Sequence, residues 1–137
     1  MKKLFQVLLI SLSLANHSFA GDFDTNILKL KATNSCVMCD LNGANLMGID
    51  LSGADLSGAD LTFSNLRQAN LSGADLTYSD LTGANLSEIN LSNANLSGAN
   101  IDYANLSGAK LIEADLSDAN LYESNFSGAN LTGADLT

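Results

Sequence analysis

The amino-acid sequence predicts an all-β solenoid, a coil of very short strands that turns a corner every five residues. Every fifth residue from Leu41 to Leu136 is a large apolar side chain, twenty positions in succession, of which eighteen are Leu and the others are Ile101 and Phe126. The residue before it is Asp or Asn at nineteen of these positions, and Lys110 is the exception. A strict short repeat of this kind is typical of solenoid architectures.

The spacing of five excludes the regular alternatives. An α-helix advances by about 100° per residue, so Leu side chains five residues apart would spread around it without forming an apolar stripe. In a flat strand, an odd spacing would send successive Leu side chains to opposite faces. The residue two positions before each Leu is Ala at fourteen sites and can share its inward direction. Ten of the eleven Gly follow the Leu by two residues, as Gly43 does, and indicate the corner. We therefore expect the large apolar residues to fill the interior, among them Leu41, Leu56, Leu76, Leu96, Ile101, Leu116 and Phe126.

Runs such as Ala54-Asp55-Leu56-Ser57-Gly58 resemble the A(D/N)LXX unit of the pentapeptide repeat protein family, over residues 39–137. The resemblance implies a right-handed quadrilateral parallel β-helix with four pentapeptides per coil. About five coils are then expected here.

Residues 1–20 have the pattern of a secretory signal peptide. A basic start is followed by an apolar run from Leu4 to Ala15 and by small residues at Ser18 and Ala20. The run is too short for a membrane span of ~20 residues, so no stable membrane insertion is expected once the leader is removed. We predict a periplasmic or secreted protein; a retained anchor or a buried helix is the alternative.

The chain without its leader is strongly acidic. It keeps four cations and fifteen acids, a formal charge of −11, and it contains no Pro, Trp or His. Such a charge disfavours binding to nucleic acid or anionic lipid and suits cationic partners. His is the commonest general base and metal ligand, and no nucleophile with a base or phosphate-binding loop is recognisable. We therefore expect neither an enzyme nor a bound cofactor or metal.

Residues 21–38 are predicted to cap the first coil with a short helix or a strand; in a helix, Asp24 or Thr25 would be the N-cap. Cys36 and Cys39 fall in register with the Leu and Ala positions and should point into that coil. A structural disulfide is the expected state in an exported protein. Buried free thiols, a redox pair and a metal site remain as alternatives.

If four pentapeptides complete a coil, residues twenty apart stack in columns on the surface. The acidic column consists of Asp55, Asp75, Asp115 and Asp135 with Asn95. The amide column consists of Asn45, Asn65, Asn85, Asn105 and Asn125. The hydroxyl column consists of Ser57, Thr77, Ser97, Ser117 and Thr137. A third side carries Phe63, Tyr103 and Tyr122, with Tyr78 on an adjoining side. The acidic column suggests mimicry of DNA phosphates or weak Ca²⁺ binding, but Asp or Asn also serves the turn of every repeat. The aromatic residues indicate either a recognition patch or packing outside the coil.

The leading hypothesis for function is a non-catalytic exported β-helical rod that acts as a protein-binding or scaffold module for an unidentified partner. The first alternative is a DNA-mimicking regulator of gyrase, an activity that the family resemblance implies and that requires residues 1–20 not to be a leader. The second alternative is adsorption to ice or a polysaccharide through the hydroxyl column. The repeat reaches Thr137 without a polar cap, which predicts an end-to-end homodimer through the C-terminal coil.

Overall fold

A computed structural model describes residues 22–137, which form one helix followed by a continuous β-helical coil. Helix α1 spans Asp22–Thr33. It begins two residues before the predicted N-cap at Asp24, so Asp24 and Thr25 lie in its first turn, where amide groups need no intrahelical acceptor. The predicted leader, residues 1–20, lies outside the described residues. Within the described part, no helix is long and apolar enough to cross a membrane.

The coil advances by twenty residues per turn. Parallel bridges of single residues join each Asp or Asn position to the residue twenty further on, from Ser35↔Asp55 to Asp115↔Asp135. The main chain is bonded in the same way: the Leu41 amide donates to the Asp60 carbonyl oxygen at 2.7 Å. Four pentapeptides therefore complete each coil, and the rod has four flat faces. The coil geometry extends to Ser35, ahead of residue 39 at which the sequence motif begins.

Each face is named by the outward column of residues along it. Face A carries Asp40, Asp60, Asp80, Asn100 and Asn120; face B carries Asn45, Asn65, Asn85, Asn105 and Asn125; face C carries Asp50, Asn70, Asn90, Lys110 and Asn130; face D carries Ser35, Asp55, Asp75, Asn95, Asp115 and Asp135. The two residues after each Leu position form the corner to the next face. Residues 62 and 63, for example, lie at corner A/B, and residues 77 and 78 at corner D/A.

The interior is a stack of Leu and Ala side chains. The large apolar residues from Leu41 to Leu116 are at most 2% exposed, and this set includes Leu56, Leu76, Leu96 and Ile101. The Ala residues of the same coils are buried beside them. Phe126, expected in this ladder, is only half-buried, and it lies in the last coil of the described residues.

The corner is a tight turn whose third residue has a positive φ. In the first complete example, the Ala44 amide donates to the Leu41 carbonyl oxygen at 3.0 Å, and Gly43 has a φ of 66°. This is the requirement of a type II turn and explains the Gly at that place. Larger residues also occupy the position, including Phe63 at 55° and Tyr78 at 55°. The Asp or Asn side chain before each Leu supports the turn: Asp75 Oδ1 accepts from the Thr77 amide at 2.9 Å.

Two serines occupy the inward position at which Ala usually stands. Ser64 and Ser79 are each 1% exposed. The Ser79 hydroxyl donates to the Leu76 carbonyl oxygen at 2.8 Å, whereas the Ser64 hydroxyl has no hydrogen-bond partner in the structure. A buried polar atom without a partner loses its hydrogen bonds to water on folding and gains none in the protein, which destabilises the folded state.

Ser64→Ala is therefore expected to raise the free energy of unfolding by about 1 kcal/mol. Ser79→Ala is the matched control and should not stabilise the protein, because it removes a hydroxyl that is already hydrogen-bonded. Urea denaturation of both variants measures the difference. Equal effects of the two substitutions would contradict this account.

Helix α1 covers the N-terminal end of the coil. Leu30 is fully buried against the first coil, and the Asn26 side-chain amide donates to the Asp40 carbonyl oxygen at 3.0 Å. Asn34 ends the helix with a φ of 56°, and its amide donates to the Leu30 carbonyl oxygen at 2.9 Å. Asn is one of the few non-Gly residues that adopt this left-handed conformation readily. The helix thus shields apolar side chains that an uncovered first coil would expose.

Candidate functional site

Cys36 and Cys39 form a disulfide beneath α1, with an S–S distance of 2.12 Å. Both residues are buried, and Lys29 Nζ lies 3.8 Å from Cys39 Sγ. The bond closes the first turn of the coil at its junction with the helix, which is a structural position. That the pair is oxidised in the cell stays a prediction. Within residues 22–137, no group of three or more His, Cys, Asp or Glu residues is arranged to hold a metal ion.

The predicted acidic column of Asp55, Asp75, Asp115 and Asp135 is assembled on face D by the bridges between coils. These carboxylates serve their own turns. Asp55 Oδ1 accepts from the Ser57 hydroxyl at 2.8 Å, and Asp75 Oδ1 accepts from the Thr77 hydroxyl at 2.8 Å. Hydrogen bonds from the side chain and the backbone of Ser117 hold the pKa of Asp115 below its ordinary value. The column therefore has a structural role in every coil it crosses.

Other polar groups are paired between coils. On face B, the Asn65 amide donates to Asn45 Oδ1 at 3.3 Å. On face C, hydrogen bonds from the backbone and hydroxyl of Ser52, and from the Asn70 amide, lower the pKa of Asp50.

Corner B/C carries the one ion pair found in the described residues. Arg67 Nη2 lies 2.9 Å from Glu88 Oε1. Gln68 donates to the other oxygen at 2.8 Å, and these two neighbours, Gln68 first, lower the pKa of Glu88. The carboxylate is thus satisfied by its neighbours in the adjacent coil.

The predicted aromatic side chains are largely exposed to solvent. Phe63 is 70% exposed, Tyr78 78%, Tyr103 56% and Tyr122 58%. The rings of Tyr103 and Tyr122 meet edge to face at 5.6 Å, a favourable arrangement for two aromatic side chains. The structure thus brings into contact two of the three residues predicted to lie on one side. Phe63 lies two coils away from Tyr103 in the same corner column.

The way in which two of these rings are held was not predicted from the sequence. The Phe63 ring lies over Gly83, the residue twenty positions on, and a Cβ at Gly83 would stand 2.7 Å from the ring. The Tyr78 ring lies over Gly98 in the same way, at 2.6 Å. The signal was present in the sequence as a bulky residue followed at a spacing of twenty by Gly. It becomes visible when each bulky corner residue is compared with the residue twenty positions on, the coil length that the family resemblance implies.

Charge is distributed unevenly around the rod. Faces D and A and the corners D/A and A/B carry ten of the thirteen acidic residues of the coils, namely Asp40, Asp55, Asp60, Asp75, Asp80, Asp102, Asp115, Asp118, Glu123 and Asp135. The two cations of the coils, Arg67 and Lys110, lie on the opposite half, at corner B/C and on face C. One half of the rod is therefore purely acidic.

Four five-residue units per coil, an apolar interior and a helical cap define a β-helical solenoid protein. A family model described as "Pentapeptide repeats" matches residues 39–77, 69–102 and 102–137. The chain belongs to the pentapeptide repeat family, and its fold is the right-handed quadrilateral β-helix predicted from the sequence.

Solved structures of the same family resemble this chain. The crystal structure of alr5209 from Nostoc PCC 7120 is 38% identical, with a TM-score of 0.68, over 83% of this chain and 94% of that one. Rfr23 from Cyanothece 51142 is 29% identical, with a TM-score of 0.45, over 83% and 99% of the two chains. HetL from Nostoc sp. PCC 7120, a protein involved in the regulation of heterocyst differentiation, is 33% identical, with a TM-score of 0.33, over 73% and 54%. The search of curated proteins found no significant match.

Proposed function

We propose that this protein is a non-catalytic, exported β-helical rod that binds other proteins or holds them in place, in the periplasm or outside the cell. The observation that carries the proposal is the unbroken coil from Ser35 to Asp135. The side chains of its polar columns are largely engaged in the hydrogen bonds of the fold. The flat, extended faces of the coil remain available for contact with another protein. Membership of a solenoid family is consistent with this role, since solenoids present extended binding surfaces. The leader-like pattern of residues 1–20 motivates export.

Fractionation and capture test this proposal together. The protein should be found outside the cytoplasm with residues 1–20 removed. Tagged rod should then retain specific proteins from the envelope fraction, and an unrelated protein of similar acidity serves as the control for ion-exchange capture. A cytoplasmic pool that keeps residues 1–20 would contradict export. An enzymatic activity of the purified protein that is lost with Cys36→Ser would contradict a non-catalytic role.

The two alternative functions, regulation of gyrase and adsorption to ice or a polysaccharide, would each use part of the acidic half of the rod. Regulation of gyrase through DNA mimicry draws support from the acidic half of the rod and requires a cytoplasmic protein, so the fractionation above decides it. Adsorption to ice or a polysaccharide would use the hydroxyl column at corner D/A. The hydroxyls of Ser57 and Thr77 donate to Asp55 and Asp75 instead of pointing freely outward, which disfavours a lattice-matching surface.

The C-terminal coil is the surface through which we expect two copies of the protein to associate. Within the described residues, Leu116 and Asp118 are the last to donate an amide hydrogen bond to the following coil, and the later bonds between coils, such as Asp135 to the Ala114 carbonyl oxygen, point to the preceding coil. Leu136 is 56% exposed there. We propose that two copies pair through this coil, as uncovered strand edges tend to do.

Leu136→Asp is expected to convert this dimer to a monomer, as measured by light scattering at micromolar concentration. Met47→Asp is the matched control, because Met47 is 51% exposed but lies near the other end of the rod. A strictly monomeric wild-type protein would refute the pairing.

A further inference from the structure

The exposed aromatic side chains of the coils all border one face. Phe63, Tyr103 and Tyr122 lie at corner A/B, and Tyr78 lies at corner D/A, so the rings stand along both edges of face A. Corners B/C and C/D carry no aromatic residue in any of the coils that the structure describes. Large exposed apolar groups concentrated in one region mark interaction surfaces, whereas scattered ones do not.

Two of these rings are oriented before any partner arrives. Phe63 and Tyr78 each place the Cδ1 and Cε1 atoms of the ring against a Gly of the next coil, while most of the side chain stays exposed to solvent. Because the ring already rests on the backbone of the next coil, binding would cost it little conformational entropy. The Tyr122 ring packs edge to face against Tyr103 at 5.6 Å, and its backbone amide donates to Asp102 Oδ1 at 2.8 Å.

Face A between these rings is acidic and has open acceptors. Asp60 Oδ1 accepts from the amide and hydroxyl of Thr62 at 3.0 and 2.6 Å, and Asp80 Oδ1 accepts from those of Thr82 at 2.9 and 2.5 Å. For the second oxygen of each carboxylate, residues 22–137 supply no donor. No Lys or Arg stands on face A or its two corners within the described coils.

We propose that face A, with its two aromatic corners, is the docking surface for an extended basic segment of a partner protein. Arg or Lys side chains of that segment reach the open oxygens of Asp60 and Asp80 and stack against Phe63 and Tyr78. A cation beside both a carboxylate and an aromatic face gains from each. The column from Asp40 to Asn120 crosses four coil spacings, about 19 Å, which an extended segment of about six residues matches. This assignment rests on the proposed protein-binding function.

The negative charge of face A favours a basic peptide segment over a neutral polysaccharide as the ligand. Aromatic rings could also stack on sugar rings, but a neutral glycan would gain nothing from the carboxylates. The acidic half of the rod would also attract a basic segment from a distance, more strongly at low salt.

Comparison with face D distinguishes a specific site on face A from general attraction between opposite charges. It carries four carboxylates in its column against three on face A, and it has an aromatic residue at only one of its edges. Electrostatics alone would therefore place a basic peptide on face D at least as often as on face A. The proposed site requires face A.

The probe is an eight-residue peptide of alternating arginine and serine, added to the mature wild-type rod. Amide chemical-shift changes should map to residues around Asp60, Asp80, Phe63 and Tyr78. A peptide of alternating glutamate and serine and a neutral glucan hexasaccharide are the comparison ligands. Changes that centre on face D, or that spread over both acidic faces, would overturn the proposal. So would tighter binding of the hexasaccharide.

Variants then test the residues with little risk to the fold. Asp60→Asn with Asp80→Asn keeps the Oδ1 acceptor that the turns need, as Asn does in many repeats, and should weaken peptide binding roughly tenfold. Phe63→Asn with Tyr78→Asn places there the residue found at the equivalent Asn93 and should have a similar effect. Asp55→Asn with Asp75→Asn on face D removes the same charge and should change affinity by about twofold or less at 0.15 M salt.

The two levels of the proposal fail differently. If envelope proteins are captured by the rod and both face A variants retain them fully, the docking surface is wrong and the binding function stands. If the rod captures nothing specific, the binding function itself is wrong.

Discussion

Leu96→Asp is expected to unfold the β-helix at 25 °C. Leu96 is fully buried in the middle of the rod, in the column that includes Leu76 and Leu116. An aspartate there would face apolar side chains only, and an uncompensated buried charge costs several kcal/mol. The total stability of a domain is about 5–15 kcal/mol, so little or none would remain. Circular dichroism and urea denaturation measure the loss.

Met47→Asp is the control for this substitution. Met47 is 51% exposed, so an aspartate there stays hydrated, and the free energy of unfolding should change by about 0.5 kcal/mol or less. Leu96→Ala provides an intermediate step, with an expected loss of about 2–5 kcal/mol. A Leu96→Asp protein that unfolds at the same urea concentration as wild type would show that the interior is not sealed.

Deletion of Gly73 alone is expected to be as damaging as any point substitution. Every later residue would move back by one place in the coil. Asp75 would then take an inward Ala position, while Leu76 would move to an outward position, and the same exchange would recur in each following pentapeptide. We expect the chain beyond the deletion to lose its fold, as shown by circular dichroism and limited proteolysis.

Deletion of residues 59–78 is the matched control, because it removes one whole coil and restores every column across the junction. In a solenoid the cost is that of one repeat and one interface between neighbours, so this shorter protein should fold with reduced stability. If the twenty-residue deletion unfolds the protein and the loss of Gly73 does not, the assignment of twenty residues per coil is wrong.

The structure also shows which features followed from the sequence and which did not. The inward Leu and Ala and the turn at Gly43 could be predicted, because side-chain direction and turn chemistry are local properties. The predicted start of α1 was wrong, because the helix begins at Asp22, ahead of both predicted N-cap residues; several neighbouring residues can cap a helix equally well. The partial exposure of Phe126 follows from its position in the last coil of the described residues. The unpaired hydroxyl of Ser64 could not be predicted, because partners of a buried group come from its packed surroundings.

The amino-acid sequence by itself determined the interior of this protein. A period of five sets which side chains point inward, and that pattern holds whatever the number of sides. Only the tertiary structure decided which surface residues become neighbours. Residues twenty apart stack because four corners close a coil, and that closure brings Phe63 over Gly83, Tyr78 over Gly98, and both rings to the edges of one acidic face. The physical reason is that the repeat specifies local direction, whereas the surface depends on where each turn of the coil meets the next.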